Sequence, residues 1–430
     1  MAIRLAVMAL IGAAWGLLPP AAQGQPPDLM EGRIVREVRV TGLRNLSPDR
    51  VARHLATKAG EPFHRATLAL DQRRLDELRL FTVVVIEPRL EGDAVVLDVT
   101  VTETLRLLPV FILRVTDENG LSAGPGVRGI NLLGRESQSG VAARFGGETG
   151  VSATVDATTM TPGTWMRHIG FSYTSRENTL YDFDERATTA DVRVARNWTH
   201  GVRTGATGDV LAIDTGSSGL SLSDDGKDVI PTVGGFVTLD TLDSSTNPRA
   251  GTWAEAELDR LFGDASSWTF IVDGRRFQRL ADRHGLGLFS LATFQSGEVG
   301  VQLPAYLQFD LGGANTVRGW SLGSRRGRNQ FIGTAEYTYV VQPVRAFTVK
   351  GLNLYAGLQA VGFADLGKAW SRDDTQGSES AIDGYGVGLR LLVPFVDVIR
   401  LDLAWGEPDH GATAYFGVSL KAARQRQRVR

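Results

Sequence analysis

The chain has 430 residues, 43% of them hydrophobic, with 46 basic and 48 acidic side chains and a formal net charge of −2, so no global field marks it as a nucleic-acid binder. Its mean hydropathy is −0.07, and no stretch after residue 30 supplies the ~20 consecutive apolar residues of a spanning helix, which excludes a helical membrane protein. Cysteine is absent, which removes disulfides, thiolate metal sites and thiol catalysis, while 50 glycines stand well above the usual ~7%.

At the N-terminus Arg4 precedes an apolar run from Leu5 to Leu18, then Pro19-Pro20 and the small-residue sequence Ala22-Gln23-Gly24. This is the layout of a cleavable secretory signal, and residues 1–24 are set apart from the fold on that ground. Residues 31–104 form the next unit. Ile34, Val38 and Val40 lie in a β-rich run ending at Thr41-Gly42. Ser47-Pro48 reads as a helix start with proline at the first helical position, Val51 and Leu55 follow at helical spacing, and Gly60 stops that helix. A second helix is predicted over Arg65–Leu80, with Leu68, Leu75 and Leu78 as core candidates. Two β-rich runs, Thr82–Leu90 and Val95–Val101, close the unit around the turn Glu91-Gly92-Asp93.

From residue 105 to 420 the pattern changes to short alternating runs broken by Gly, Asn, Asp and Pro. Ile399, Leu401, Leu403 and Trp405 oppose Arg400, Asp402 and Ala404; Val387, Leu389 and Leu391 oppose Gly388 and Arg390; and Ala414, Phe416, Val418 and Leu420 oppose Thr413, Tyr415, Gly417 and Ser419. Alternation alone does not separate a soluble sandwich from a membrane barrel with a polar lumen. The secretory signal, the aromatic strand ends Trp370, Trp405 and Phe416, and a span long enough for roughly 16 membrane strands point to the barrel. Arg106–Val115 is either its first strand or a lead-in to one at Leu121–Asn131.

Specific runs carry a family resemblance. Residues 33–103, through Val40-Thr41-Gly42-Leu43, Gly60-Glu61-Pro62-Phe63 and the stretch from Leu75 to Val84, resemble a POTRA (polypeptide-transport-associated) domain. The run Gly312 to Trp320, with Val317-Arg318-Gly319-Trp320 at its end, resembles the signature loop of the outer-membrane superfamily that includes BamA, TamA and the two-partner-secretion transporters. Further matches follow the order of that family: Asn131-Leu132-Leu133-Gly134, Asp240-Thr241-Leu242-Asp243 with Pro248 to Gly251, Phe331–Val341 with Gly333 and Glu336, Gly362-Phe363-Ala364-Asp365-Leu366-Gly367 to Trp370, Gly384 to Arg390, Pro394, and Arg400-Leu401-Asp402.

The resemblance implies a mainly β fold, a transmembrane antiparallel barrel of about 16 strands (residues 105–420) preceded by one small α+β POTRA domain (31–104), with residues 421–430 a basic tail. It implies that the loop folds into the lumen and that Arg318 meets acidic wall residues, Asp365 and Glu336, with Gly362, Phe363 and Gly367 as the barrel-wall motif. Thr338 and Leu242 stand where the family usually has Arg, so a smaller lumenal charge network is expected. The chain continues past Leu420, whereas most family barrels end near a terminal aromatic.

Of enzymatic signatures there is no G-x-S-x-G, no H-E-x-x-H and no phosphate-binding G-x-x-x-x-G-K-[ST], and Gly384-Tyr385-Gly386-Val387-Gly388 sits in strand pattern with no helix after it. The six histidines (His54, His64, His168, His200, His284, His410) show no ligand spacing. No catalytic constellation, metal site or cofactor site is read from the sequence. The expected function is non-covalent assembly or translocation of unfolded outer-membrane or secreted polypeptides, with outer-membrane lipid and periplasmic accessory or chaperone proteins as partners and no nucleic acid. The alternatives are a dedicated two-partner-type secretion transporter and, from another class, a passive channel or structural anchor. An enzyme in the barrel is the weakest reading.

Overall fold

A computed structural model describes residues 29–419, apart from 135, 217–218, 245–246, 350–351, 372–379 and 394–396. The expected signal at 1–24, the tail at 421–430, Leu420 and Pro394 lie outside the described residues.

The N-terminal unit runs β1 (Val35–Thr41), α1 (Pro48–Ala52), α2 (Arg65–Glu77), β2 (Phe81–Glu91) and β3 (Ala94–Glu103). Its sheet has the order β1-β3-β2, with β1 parallel and β2 antiparallel to β3. Inward alternation on β3 buries Val95, Leu97, Val99 and Val101 against Val51, Leu55, Phe63, Leu75 and Leu78, each fully buried side chain contributing on the order of 2 kcal/mol of transfer free energy. Both helices are shorter than their sequence pattern suggests. The Lys58 ammonium donates to the carbonyls of Ala52 and Arg53 at 2.9 and 3.2 Å, and the buried Asp71 carboxylate accepts from the Ala56 and Thr57 amides and from Thr57 Oγ1. These side chains take backbone groups that a further helical turn would use. The second helix gives out before Arg79, whose φ is +51°.

The remaining strands are β4 (Leu107–Thr116), β5 (Gly120–Ile130), β6 (Gln138–Gly146), β7 (Glu148–Ala157), β8 (Trp165–Asn178), β9 (Phe183–Asn197), β10 (Val202–Asp214), β11 (Lys227–Asp240), β12 (Gly251–Leu261), β13 (Ser267–Ala281) and β14 (His284–Gln295). After a short pair, β15 (Phe309–Leu311) and β16 (Arg325–Gly327), come β17 (Asn329–Val349), β18 (Leu352–Trp370), β19 (Ile382–Val393), β20 (Asp397–Trp405) and β21 (Thr413–Ser419). All but the short pair join one 16-stranded antiparallel sheet in chain order from β4 to β21, a nearly closed barrel. Its first strand is β4, so the segment left open between strand and lead-in is the strand itself. The two terminal strands lie alongside each other, yet among the described residues no ladder joins them.

Exposure along the strands separates the two architectures that alternation left open. On β20 the apolar Leu401 and Leu403 are 49% and 39% exposed, whereas Asp402 and Ala404 are 6% and 0% exposed. Apolar outside and polar inside is the reverse of a soluble sandwich and the pattern of a membrane barrel.

The N-terminal unit sits on the rim formed by the β5–β6, β7–β8 and β11–β12 turns. Arg73, 4% exposed, donates to the Asp240 carboxylate and to the Leu242 carbonyl. His54 faces Thr161 Oγ1 at 2.8 Å and Glu136 at 3.0 Å, and Gln138 donates to the Leu78 carbonyl at 3.1 Å.

Candidate functional site

At the opposite end of the barrel the chain between β14 and β17 turns back into the lumen. Its first part packs Leu303, Tyr306 and Leu307 on Leu211, Ile213, Ile230 and Leu261. Its second part is held by its own polar groups: the Gly312 amide donates to Thr316 Oγ1 at 2.7 Å, whose hydroxyl returns to the Gly312 carbonyl at 2.6 Å. Val317, fully buried, enters a cluster with Leu311, Ile332, Ala369 and Ile382. Gly319 takes φ +89°, and a Cβ there would stand 2.5 Å from the Trp405 backbone; its amide instead donates to the Tyr415 hydroxyl at 3.0 Å. The Trp320 indole donates to the Asp383 carbonyl at 2.8 Å.

Between Val317 and Gly319 the Arg318 side chain crosses to the wall. Nε and Nη2 reach the two oxygens of Asp365 at 2.8 and 3.1 Å, and the Arg318 amide adds a third bond at 3.1 Å. Nη1 donates to Asp402 at 3.1 Å and stands 3.7 Å from Glu336. The guanidinium carbon lies 3.3 Å from the centre of the Phe363 ring. Thr334 completes Asp365 with a bond of 2.6 Å. Arg318 is 4% exposed and Asp365 1%, so neither charge has water to fall back on, and the bidentate fork compensates what burial removes.

The motif matches included Arg390, Arg400 and Asp402 without assigning them partners, and the structure supplies those. Arg390 on β19 donates to Glu336 at 3.0 Å and to Asp402, and Arg400 on β20 reaches the loop at Asn315, 3.3 Å away. Three arginines thus face three carboxylates. Thr338 on β17 brings no arginine to the cluster, and the one that pairs with Glu336 is Arg390 on β19, two strands away; cross-strand register decides this, and a single sequence does not display register.

Glycines in the wall make the room. A Cβ on Gly384 would fall 1.9 Å from the Arg318 carbonyl oxygen, one on Gly367 2.5 Å from Val317 Cγ2, and one on Gly386 2.4 Å from the Phe363 ring. Phe363 and Gly367 therefore touch the loop, whereas a Cβ on Gly362 meets nothing within 4 Å: it lies on the other face of β18, away from the loop. What was read as strand glycine around residue 384 is strand glycine whose missing side chains seat the loop.

Among the described residues no group of three or more His, Asp or Glu is arranged to hold a metal ion, and no helix is long and apolar enough to cross a membrane. The arrangement holds a loop in place.

Comparison with known proteins agrees with this fold. Residues 131–421 match the model of the Omp85 superfamily domain, and residues 34–104 match a POTRA model described as a surface antigen variable number repeat. No curated protein sequence matches the chain. Among solved structures, CdiB from Escherichia coli is similar at 16% identity, with 90% of this chain and 76% of that chain covered and a TM-score of 0.59. BamA from Haemophilus ducreyi lacking POTRA domains 1–3 is similar at 13% identity, with 89% and 83% covered and a TM-score of 0.57. At such identities the likeness is one of fold.

Proposed function

The chain belongs to the Omp85 superfamily, and from this premise we propose that it works without covalent chemistry at the outer membrane, helping other polypeptides insert into that membrane or cross it. The POTRA-like unit stands in the periplasm, its β2 edge open to an added strand, since main-chain hydrogen bonds give affinity without demanding a sequence. Outer-membrane lipid surrounds the exposed apolar face, and unfolded polypeptides, delivered with or without periplasmic accessory proteins, are the clients.

One observation carries the choice between insertion and translocation. The distal lumen is occupied by a loop pinned through Arg318 and capped by Leu303, Tyr306 and Leu307, while β4 and β21 adjoin with no ladder between them among the described residues. A client strand must keep its backbone hydrogen-bonded inside hydrocarbon, and an unladdered strand edge supplies partners for it. The seam is therefore the favoured route, and passage of a passenger through the lumen is the second reading, since it needs the loop displaced.

Depletion of the protein followed by quantitative profiling of the outer-membrane fraction tests the proposal. Loss of many barrel proteins supports an insertase. Loss of one or two surface or secreted proteins supports the transporter. No change in any turns the reading to a passive channel or anchor.

A further inference from the structure

On β9 two arginines of opposite facing have opposite surroundings. Arg193 points into the lumen and pairs with Glu255 at 2.8 Å and Glu257 at 3.3 Å. Arg196 lies on the outer face, and among the described residues no carboxylate pairs with it; instead its guanidinium lies between two indoles, 5.8 Å from the Trp165 ring and 4.9 Å from the Trp198 ring. Register places Arg196 directly opposite Trp165 on β8 and Thr204 on β10, and the Trp198 indole N–H is already committed to Thr204 Oγ1 at 2.8 Å. Arg196 Nε is hidden from solvent with no hydrogen-bond partner among the described residues. Two residues along the same face of β8 stands Arg167, exposed and likewise without a carboxylate partner among the described residues.

Two unpaired cations in an aromatic cluster form a site with positive charge and no internal anion, and cation–π contact fixes one of them without neutralising it. The cluster lies on the lipid-facing wall at the rim that carries the POTRA-like unit. From there the outward face of β8 continues through Ile169 and Phe171, 59% and 47% exposed, and that of β9 through Val194 and Val192. Charge at the girdle, then apolar surface toward the barrel's middle, is the order of a phospholipid from headgroup to acyl chain. A free phosphate would use the arginines and leave the apolar continuation without a purpose.

We propose that Trp165, Arg167, Arg196 and Trp198 form a binding site for the headgroup phosphate of an anionic phospholipid in the periplasmic leaflet. The inference rests on the membrane placement proposed above but not on any client.

The full-length protein, reconstituted in vesicles, tests it. The difference in tryptophan emission between the native chain and a Trp165→Phe/Trp198→Phe chain isolates the two indoles. Acyl-brominated phosphatidylglycerol at low mole fraction is expected to quench them more than brominated phosphatidylcholine, with a preference of about fivefold per arginine. Arg167→Gln/Arg196→Gln should abolish the preference, and Arg167→Lys/Arg196→Lys, which keeps the charge, should retain part of it. Heat-modifiable electrophoretic mobility confirms that each variant barrel is folded. Equal quenching by both lipids in the native chain, or an unchanged preference in the Gln variant, overturns the proposal; so does inorganic phosphate displacing the lipid at millimolar concentration. Each of these failures leaves client insertion untouched, so the two proposals fall separately.

Discussion

Replacing Arg318 by Ala removes the bidentate bond to Asp365, the bond to Asp402 and the cation over Phe363. Asp402 keeps Arg390, so the charge left least compensated is Asp365, which retains Thr334 and the residue 318 amide. Removing one partner of a buried pair costs ~3–5 kcal/mol, and the surviving contacts place this case near the lower end. About 3 kcal/mol amounts to roughly a hundredfold rise in the population with the loop unseated. Arg325 and Arg326 follow on the same loop, so limited trypsin digestion of the reconstituted barrel reports that population, provided opening and closing are fast relative to cleavage. Cleavage should rise by about two orders of magnitude in Arg318→Ala. Adding Asp365→Ala should cost less than the sum of the single changes, since the second removes the charge stranded by the first. Unchanged cleavage, or strict additivity, would show that Val317, Trp320 and the apolar cap hold the loop and that the charge network is incidental.

Gly384→Ala should reproduce the open loop with every charge in place, because a Cβ there would clash with the Arg318 carbonyl; the same digestion measures it. In the POTRA-like unit, burial pushes the Glu103 carboxyl up, but bonds from the Asn45, Arg44 and Leu46 amides and the Asn45 side chain outweigh it and hold the group below its ordinary value of 4.5. The folded state then binds fewer protons than the unfolded one near that pH, so this contribution is present above about 4.5 and fades as pH falls through the lower folded value. Glu103→Gln should accordingly lower the urea midpoint at pH 7, with a gap to the native chain that narrows below pH 4.5. Arg73→Ala should loosen the unit from the barrel rim by leaving the Asp240 carboxylate with Arg203, 3.6 Å away, and the Leu242 amide at 3.3 Å. Spin-label distances between the two should broaden, and an Arg73→Asp/Asp240→Arg exchange should narrow them again.

How much of this was legible beforehand follows from the range of each interaction. The POTRA-like core could be read because Leu75, Leu78, Val95, Leu97, Val99 and Val101 obey local periods of helix and strand. The helix ends could not, since Lys58 and Asp71 act across turns. Barrel strands announced themselves by alternation, but their polarity became decidable only from exposure, as at Leu401 and Asp402. Asp365 was nameable from a motif on its own strand. Asp402 and Arg390 join Arg318 through the register of three strands and through a loop folded across a lumen, and neither is written in sequence spacing. The outward pair Arg167 and Arg196 carries no motif; it is visible only once facing is known.

The seam route can be tested directly because the chain contains no cysteine, so a single engineered pair joining β4 to β21 gives a tether with no competing thiols. The measurement is the insertion rate of an unfolded barrel protein into vesicles containing the tethered chain, with and without reductant. The account predicts that oxidation stops insertion and that reduction restores it. Insertion that continues at the same rate with the seam locked would contradict it.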